Sequence, residues 1–194
     1  PDLAAVKGER SLAESHLVQE GVYRPWKAEG MLQYEGRYLI GPFLEGRSLM
    51  RALESSPKEA LRALQSVDHA LLNLKKQGVD LDQIDGAGIY LLDRGGVLFL
   101  PNSLSERLRN SLKPDYRFDQ FETLNHPDLS GERNQCFALA TAAYRAVSSL
   151  HPFFDPQDPP EPEELHHRIR KARHVPLHLL NPKLDESQGE ELSR

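Results

Sequence analysis

The sequence predicts an α+β fold, with a mainly helical body behind a small strand-bearing part, on three local patterns. Gly30 to Ile40 and Ile89 to Leu100 each flank a glycine-containing turn with aliphatic and aromatic residues, the signature of a hairpin. Ser56-Pro57-Lys58-Glu59 is a capping box with proline at the first helical position, and apolar residues then recur at helical spacing. Cys136 to Leu150 is alanine-rich and apolar nearly all round, as a central buried helix is.

In chain order, Leu12, Leu17 and Val18 among charges predict a helix from Lys7 to Glu20, ended by Gly21. The first hairpin turns through Tyr34-Glu35-Gly36 and stops at Gly41-Pro42, because proline brings no amide donor to a sheet. The helix after Ser56 extends from about Pro57 to Gln77, with Leu61, Leu64, Val67, Leu71 and Leu74 on one face and Gly78 as its C-terminal cap. An acidic loop, Asp80 to Gly88, leads to the second hairpin, whose nearly continuous apolar strands predict cover on both faces. From Pro101 to Asn125 the chain is polar without periodicity, a loop of the length that is functional or disordered. A buried helix over Gln135 to Ser148, a proline-rich loop from Asp155 to Pro162 and a charged helix from Glu163 to about His174 complete the order.

Composition narrows the function classes. The chain has 194 residues, 39% hydrophobic and 27% charged, which is material for one domain or two small lobes and is not the balance of a disordered chain. A net charge of -5 with no long basic run argues against nucleic acid as a partner. No apolar run reaches the roughly 18 residues of a membrane span. The lone Cys136 cannot form an internal disulfide, so a reducing, cytoplasmic setting is expected. Pro1 in place of an initiator methionine, and the charged run from Asp185 to Arg194, predict a fragment of something longer.

Several words along the chain occur in the order and at the distances of one known family. Tyr38-Leu-Ile-Gly-Pro-Phe-Leu-Glu-Gly-Arg-Ser-Leu49 resembles the strand and hinge between the two lobes of a protein kinase, down to the closing Gly46-Arg47-Ser48-Leu49. With Gly78-Val79 laid on the residues before the kinase catalytic loop, Ile89 to Leu92 falls on the following strand without a gap. His126-Pro127-Asp128 resembles the A-P-E word, and Ala138-Leu139-Ala140, Tyr144 and Pro152-Phe153 sit at the spacing of the family's buried helix and the loop after it. Gln135 takes the place of the aspartate that usually begins that helix. The resemblance runs from around Leu12 to Leu184 and implies a partial N-terminal lobe over residues 1–41, with a regulatory helix and a strand hairpin. A helical C-terminal lobe over 42–194 follows, truncated at its end.

In this register the chain lacks what phosphoryl transfer needs. The catalytic-loop pattern H-R-D-x-x-x-x-N falls on Leu81, Asp82, Gln83 and Gly88, and D-F-G falls on Pro101-Asn102-Ser103. The chemistry requires a carboxylate for the attacking hydroxyl, and an aspartate and an asparagine to hold metal. Gln83 accepts no proton near neutral pH, and Pro101 and Gly88 carry no side-chain oxygen for a hard cation. Asp82 is the best substitute acid, with Asp80 and Asp85 in the same loop, although loop and cap chemistry accounts for all of these aspartates. The resemblance also implies that the backbone of Pro42 and Leu44 would face adenine and that Tyr90 would form the floor beneath it. As a bulky ring, Tyr90 would close the pocket whether it is a floor or a core residue.

Weaker constellations have plainer explanations. His166, His167, His174 and His178 do not share a helix face, so a metal site is not expected there. Cys136 lies on the buried-helix pattern, where a free cysteine acts as a small apolar group, and Tyr23 with Trp26 would pack on the regulatory helix. Arg168 to Arg173 balances the dipole of its own helix. The expectation is therefore a catalytically inactive kinase-like domain, a pseudokinase. It would need no cofactor beyond weak ATP and would bind another protein or other domains of a longer chain. Its alternatives are a divergent serine/threonine kinase fragment and an unrelated α+β adaptor.

Overall fold

In the computed structural model, residues 3–4, 15–26, 30–33, 37–40, 44–101, 124–153, 160–172 and 174–180 are described. Its longest helix is the one with the clearest local chemistry. Helix α2, Pro57–Lys76, starts with the Ser56 hydroxyl accepting from the Glu59 amide at 3.4 Å and with Pro57 in the first turn. It ends in a Schellman pair, Gly78 N–H to the Lys75 carbonyl and Val79 N–H to the Leu74 carbonyl, both 3.0 Å. Ala60, Leu64, Val67, Leu71 and Leu74 form its buried stripe, so Leu64 and Leu71 lie on the inner face as the periodicity predicts. Each fully buried leucine is worth about 1.5–3 kcal/mol, and this face rather than helix propensity holds α2 in place. Just ahead, α1 (Leu49–Leu53) is capped by Ser48, whose hydroxyl accepts from the Arg51 amide at 3.3 Å.

Among the described residues, two antiparallel sheets accompany the helices. Strands β1 (Leu3–Ala4), β4 (Gly30–Gln33) and β5 (Arg37–Ile40) form one, in the order β1-β4-β5, and the expected first hairpin is its β4–β5 pair. The other has the order β3-β2-β8-β7-β6, from β2 (Ser15–Gln19), β3 (Val22–Trp26), β6 (Gly46–Ser48), β7 (Ile89–Leu92) and β8 (Val97–Phe99). The second expected hairpin is its β7–β8 pair, with Ile89 opposite Phe99. Central β8 is buried at every residue, whereas β7 is buried only at Ile89, so cover on both faces holds for the inner strand alone.

The structure corrects the reading of the first segment. Residues 15–20 are not the end of a helix. Ser15 to Gln19 is a strand, and Glu20 and Gly21, with φ of 52 and 73, make the two-residue turn that matches strand twist. Residues 7–14 lie outside the described residues. Tyr23 and Trp26, an odd number of positions apart on β3, consequently point to opposite faces and do not pair.

Later helices keep their places with shifted ends. Helix α3, Gly131–Ser148, begins ahead of Gln135 because its first turn is polar and invisible to apolar periodicity. It is not apolar all round: Ala138, Ala142 and Ala146 are buried, but Cys136 points away from that stripe and is exposed, contrary to its expected core role. Helix α4, Pro162–Arg170, stops short of His174, since Ala172 turns to a φ of 46. A short α5, Leu177–Leu180, follows. One face of the larger sheet (Val18, Ile89, Val97, Phe99), α1, α2 and α3 enclose the main core, and Phe153, Leu165 and Ile169 form a second cluster beside Phe137. No helix among the described residues is long and apolar enough to cross a membrane.

Candidate functional site

The acidic loop, Asp80 to Gly88, is an irregular segment held between regular elements at both ends. It leaves the Schellman end of α2 and reaches β7 through a single 3-10 turn, Gly86–Gly88. Between those ends it hangs on side-chain amides. Gln135, in the first turns of α3, donates to the Leu81 carbonyl at 2.6 Å and to the Asp80 carboxylate at 3.1 Å. Buried Asn134 donates to the Asp82 carbonyl at 2.9 Å. Asn125 takes both backbone groups of Ile84, accepting its N–H at 3.0 Å and donating to its carbonyl at 2.8 Å. An exposed pair, Lys75 to Glu132 at 2.5 Å, ties the end of α2 to the start of α3, and Glu132 raises the lysine's pKa.

Between this loop and the sheet lies a cavity of about 660 Å3. Gly78 to Asp85 line one side of it, and His16, Ile89, Phe99, Leu100 and Pro101 the other. Ile89, Phe99 and His16 are register partners across β7, β8 and β2, so the cavity opens on the sheet face that also covers α2. His16 is oriented there by Tyr23, whose hydroxyl lies 3.1 Å from its Nδ1.

Of the residues the sequence singles out, Asp82, Gln83 and Pro101 meet in this cavity. Gly88 is buried beneath, its N–H on the Asp85 carbonyl at 2.9 Å and its carbonyl accepting from Leu100 at 2.8 Å. Tyr90, next to Ile89 in the strand, faces the opposite side of the sheet with Ser48 and Leu98 as its register partners, and burial raises its phenol's pKa. Tyr90 and Leu44 are not among the described residues lining the cavity. Pro42, Asn102 and Ser103 lie outside the described residues.

The three aspartates are not equivalent. Asp80 is engaged by Gln135 and has Oδ2 only 3.3 Å from where a side-chain carbon on Gly131 would sit, so it complements the positive end of α3. Asp85 is also partnered. Asp82 alone is exposed on the cavity wall with no hydrogen bond to its carboxylate among the described residues. No group of three or more His, Cys, Asp or Glu side chains among the described residues could hold a metal ion.

Sequence reasoning missed the amides that build this site. Asn125 ends a polar stretch and Asn134 precedes an apolar one, and only tertiary contact gives either its role. His126-Pro127-Asp128 forms a turn in which the Asp128 amide donates to His126 Nδ1 at 3.1 Å. Arg170 on α4 grips the Asp128 carboxylate with two bonds, 2.6 and 2.8 Å, and holds its pKa below the usual carboxylate range. Exposed Cys136 borders a separate groove of about 350 Å3 with Phe137, Tyr144, Phe153 and His174.

No protein-family model matches the chain, and neither does any curated protein.

Proposed function

We propose that the chain is a catalytically inactive protein-kinase-like module that acts by binding another protein or another domain of a longer chain. The observation that carries this reading is the setting of the loop Asp80 to Gly88. The loop leaves a long capped helix, is gripped by the first turns of α3, and leads into a hairpin paired with β6, the closing part of the hinge-like segment. That order is the one the kinase-like words along the sequence lead one to expect, and it supports this reading over an unrelated adaptor. In the same register the places of the acid and the metal holders are occupied by Gln83, Gly88 and Pro101, which offer neither a proton acceptor nor a charged oxygen.

One observation favours a second reading, a divergent kinase fragment: the unengaged carboxylate of Asp82 faces the cavity beside Gln83. A phosphate-transfer assay with labelled ATP and magnesium or manganese separates the two. The expected result is no transfer by the unmodified protein. Transfer that survives Gln83→Ala and vanishes in Asp82→Asn would overturn the proposal and make Asp82 the catalytic acid.

A further inference from the structure

We propose that the groove on the outer side of α3 docks an acidic segment of a partner protein through one aromatic side chain. The groove holds about 350 Å3, the low end for a ligand site, which suits one anchor residue better than a cofactor. Arg133, Cys136, Phe137, Ala140 and Tyr144 recur at three- and four-residue spacing and so share one face of α3, away from the buried stripe Ala138, Ala142 and Ala146. Its ring-lined walls are already fixed. Phe153 stacks on Phe137 with ring centroids 5.8 Å apart, and its amide is held by His151. The Tyr144 hydroxyl donates to the Val175 carbonyl at 2.6 Å, and the His174 ring meets the Tyr144 ring edge-on at 6.2 Å. A site with pinned walls loses little freedom on binding, and rings on several sides favour an aromatic guest.

Charge selects the partner. The chain carries 29 acidic against 24 basic residues, yet no Asp or Glu is among the described residues that line the groove, whereas Arg133 and His174 are. Arg133 is exposed and makes no ion pair among the described residues. Lys171, next to the lining residue Ala172, is exposed and equally unpaired. Two such cations beside a ring-lined groove complement carboxylates that flank the anchor, and they repel a basic segment. The inference names the kind of partner within the protein-binding role proposed above and rests on that role, not on the kinase-like assignment.

Cys136, the chain's single cysteine and exposed at the groove, gives the readout, its rate of alkylation by iodoacetamide. The probes are three end-blocked synthetic peptides: a phenylalanine with a pair of glutamates on each side, the same peptide with lysines for glutamates, and the same with alanine for phenylalanine. The first should slow alkylation at least about threefold near saturation, and the other two should not. Arg133→Glu, at an exposed position, should raise the concentration needed for that protection about tenfold and let the lysine peptide protect instead. Ala140→Glu, also exposed, should abolish protection by the first peptide without lowering the melting temperature. Three results would each overturn the docking site: equal protection by the lysine or alanine peptide, protection indifferent to both substitutions, or no protection by any peptide up to about 5 mM. Phosphate transfer by the unmodified protein would instead overturn the proposed function and leave the peptide result standing.

Discussion

His151 is 5% exposed at the end of the chain's central helix, where its Nδ1 accepts the Phe153 amide at 3.3 Å. Phe153 stacks on Phe137 at 5.8 Å, so the imidazole helps fix the second apolar cluster. Burial, with a smaller contribution from Arg145, pushes the pKa of His151 down to about 3 from 6.5. The folded protein therefore resists a proton that the unfolded chain accepts. Between those values the unfolded state binds more protons, stability rises with pH, and the contribution is complete above 6.5 and lost as pH falls toward 3. At pH 5 the loss is about 2 kcal/mol relative to neutral pH. His151→Asn keeps an acceptor for Phe153 and cannot titrate. Its urea-unfolding free energy should fall less between pH 7.5 and pH 5 than that of the unmodified protein, by roughly that amount. Equal slopes for the two proteins would show that His151 is not the group responsible.

At the scale of elements, two glycines with positive φ make contrasting tests. Gly78, at φ +74, has no atom within 4 Å of an added side-chain carbon, so Gly78→Ala should cost only the left-handed strain, about 1–2 kcal/mol. Gly96, at φ +133, would place that carbon 2.8 Å from the Val18 carbonyl oxygen, between β8 and its neighbour β2. Backbone must then move as well, and Gly96→Ala should lower the thermal midpoint clearly further. A variant no worse than Gly78→Ala would show that β2 yields freely. The same two elements mark what a sequence can disclose. Helix α2 was legible because its cap, stripe and Schellman end are all local, and so were the hairpins at 30–40 and 89–100. Strand β2 was not: Leu17 and Val18 fit a helix pattern as well as a strand, and its turn, Glu20-Gly21, lacks the usual Asn-Gly signal. In the site, the acidic loop itself could be read in order along the chain. Asn125 and Asn134 could not, because their partners lie far away in sequence and an amide carries no local mark of what it will hold.

For the molecule as a whole, the larger sheet separates two sets of residues that the kinase-like reading would bring to one nucleotide. Asp82, Gln83 and Pro101 lie around a cavity on the face of Ile89 and Phe99, whereas Tyr90, the expected adenine floor, points to the other face. A nucleotide stacked over Tyr90 would hold its phosphates away from Asp82. The Leu44 amide would add one neutral hydrogen bond, worth only about 0.5–1.5 kcal/mol. The triphosphate would also meet a chain whose net charge is already -5. ATP with magnesium should therefore leave the melting temperature of the unmodified protein unchanged. In Tyr90→Leu the half-buried ring is gone, the protein should melt somewhat lower, and adenosine should now raise its melting temperature with no dependence on metal, because a ligand that binds only the native state stabilises it by mass action. A variant that is merely less stable, with no response to adenosine, would make Tyr90 a packing residue and remove the adenine floor from this fold. A large metal-dependent shift with ATP in the unmodified protein would instead restore nucleotide binding to it.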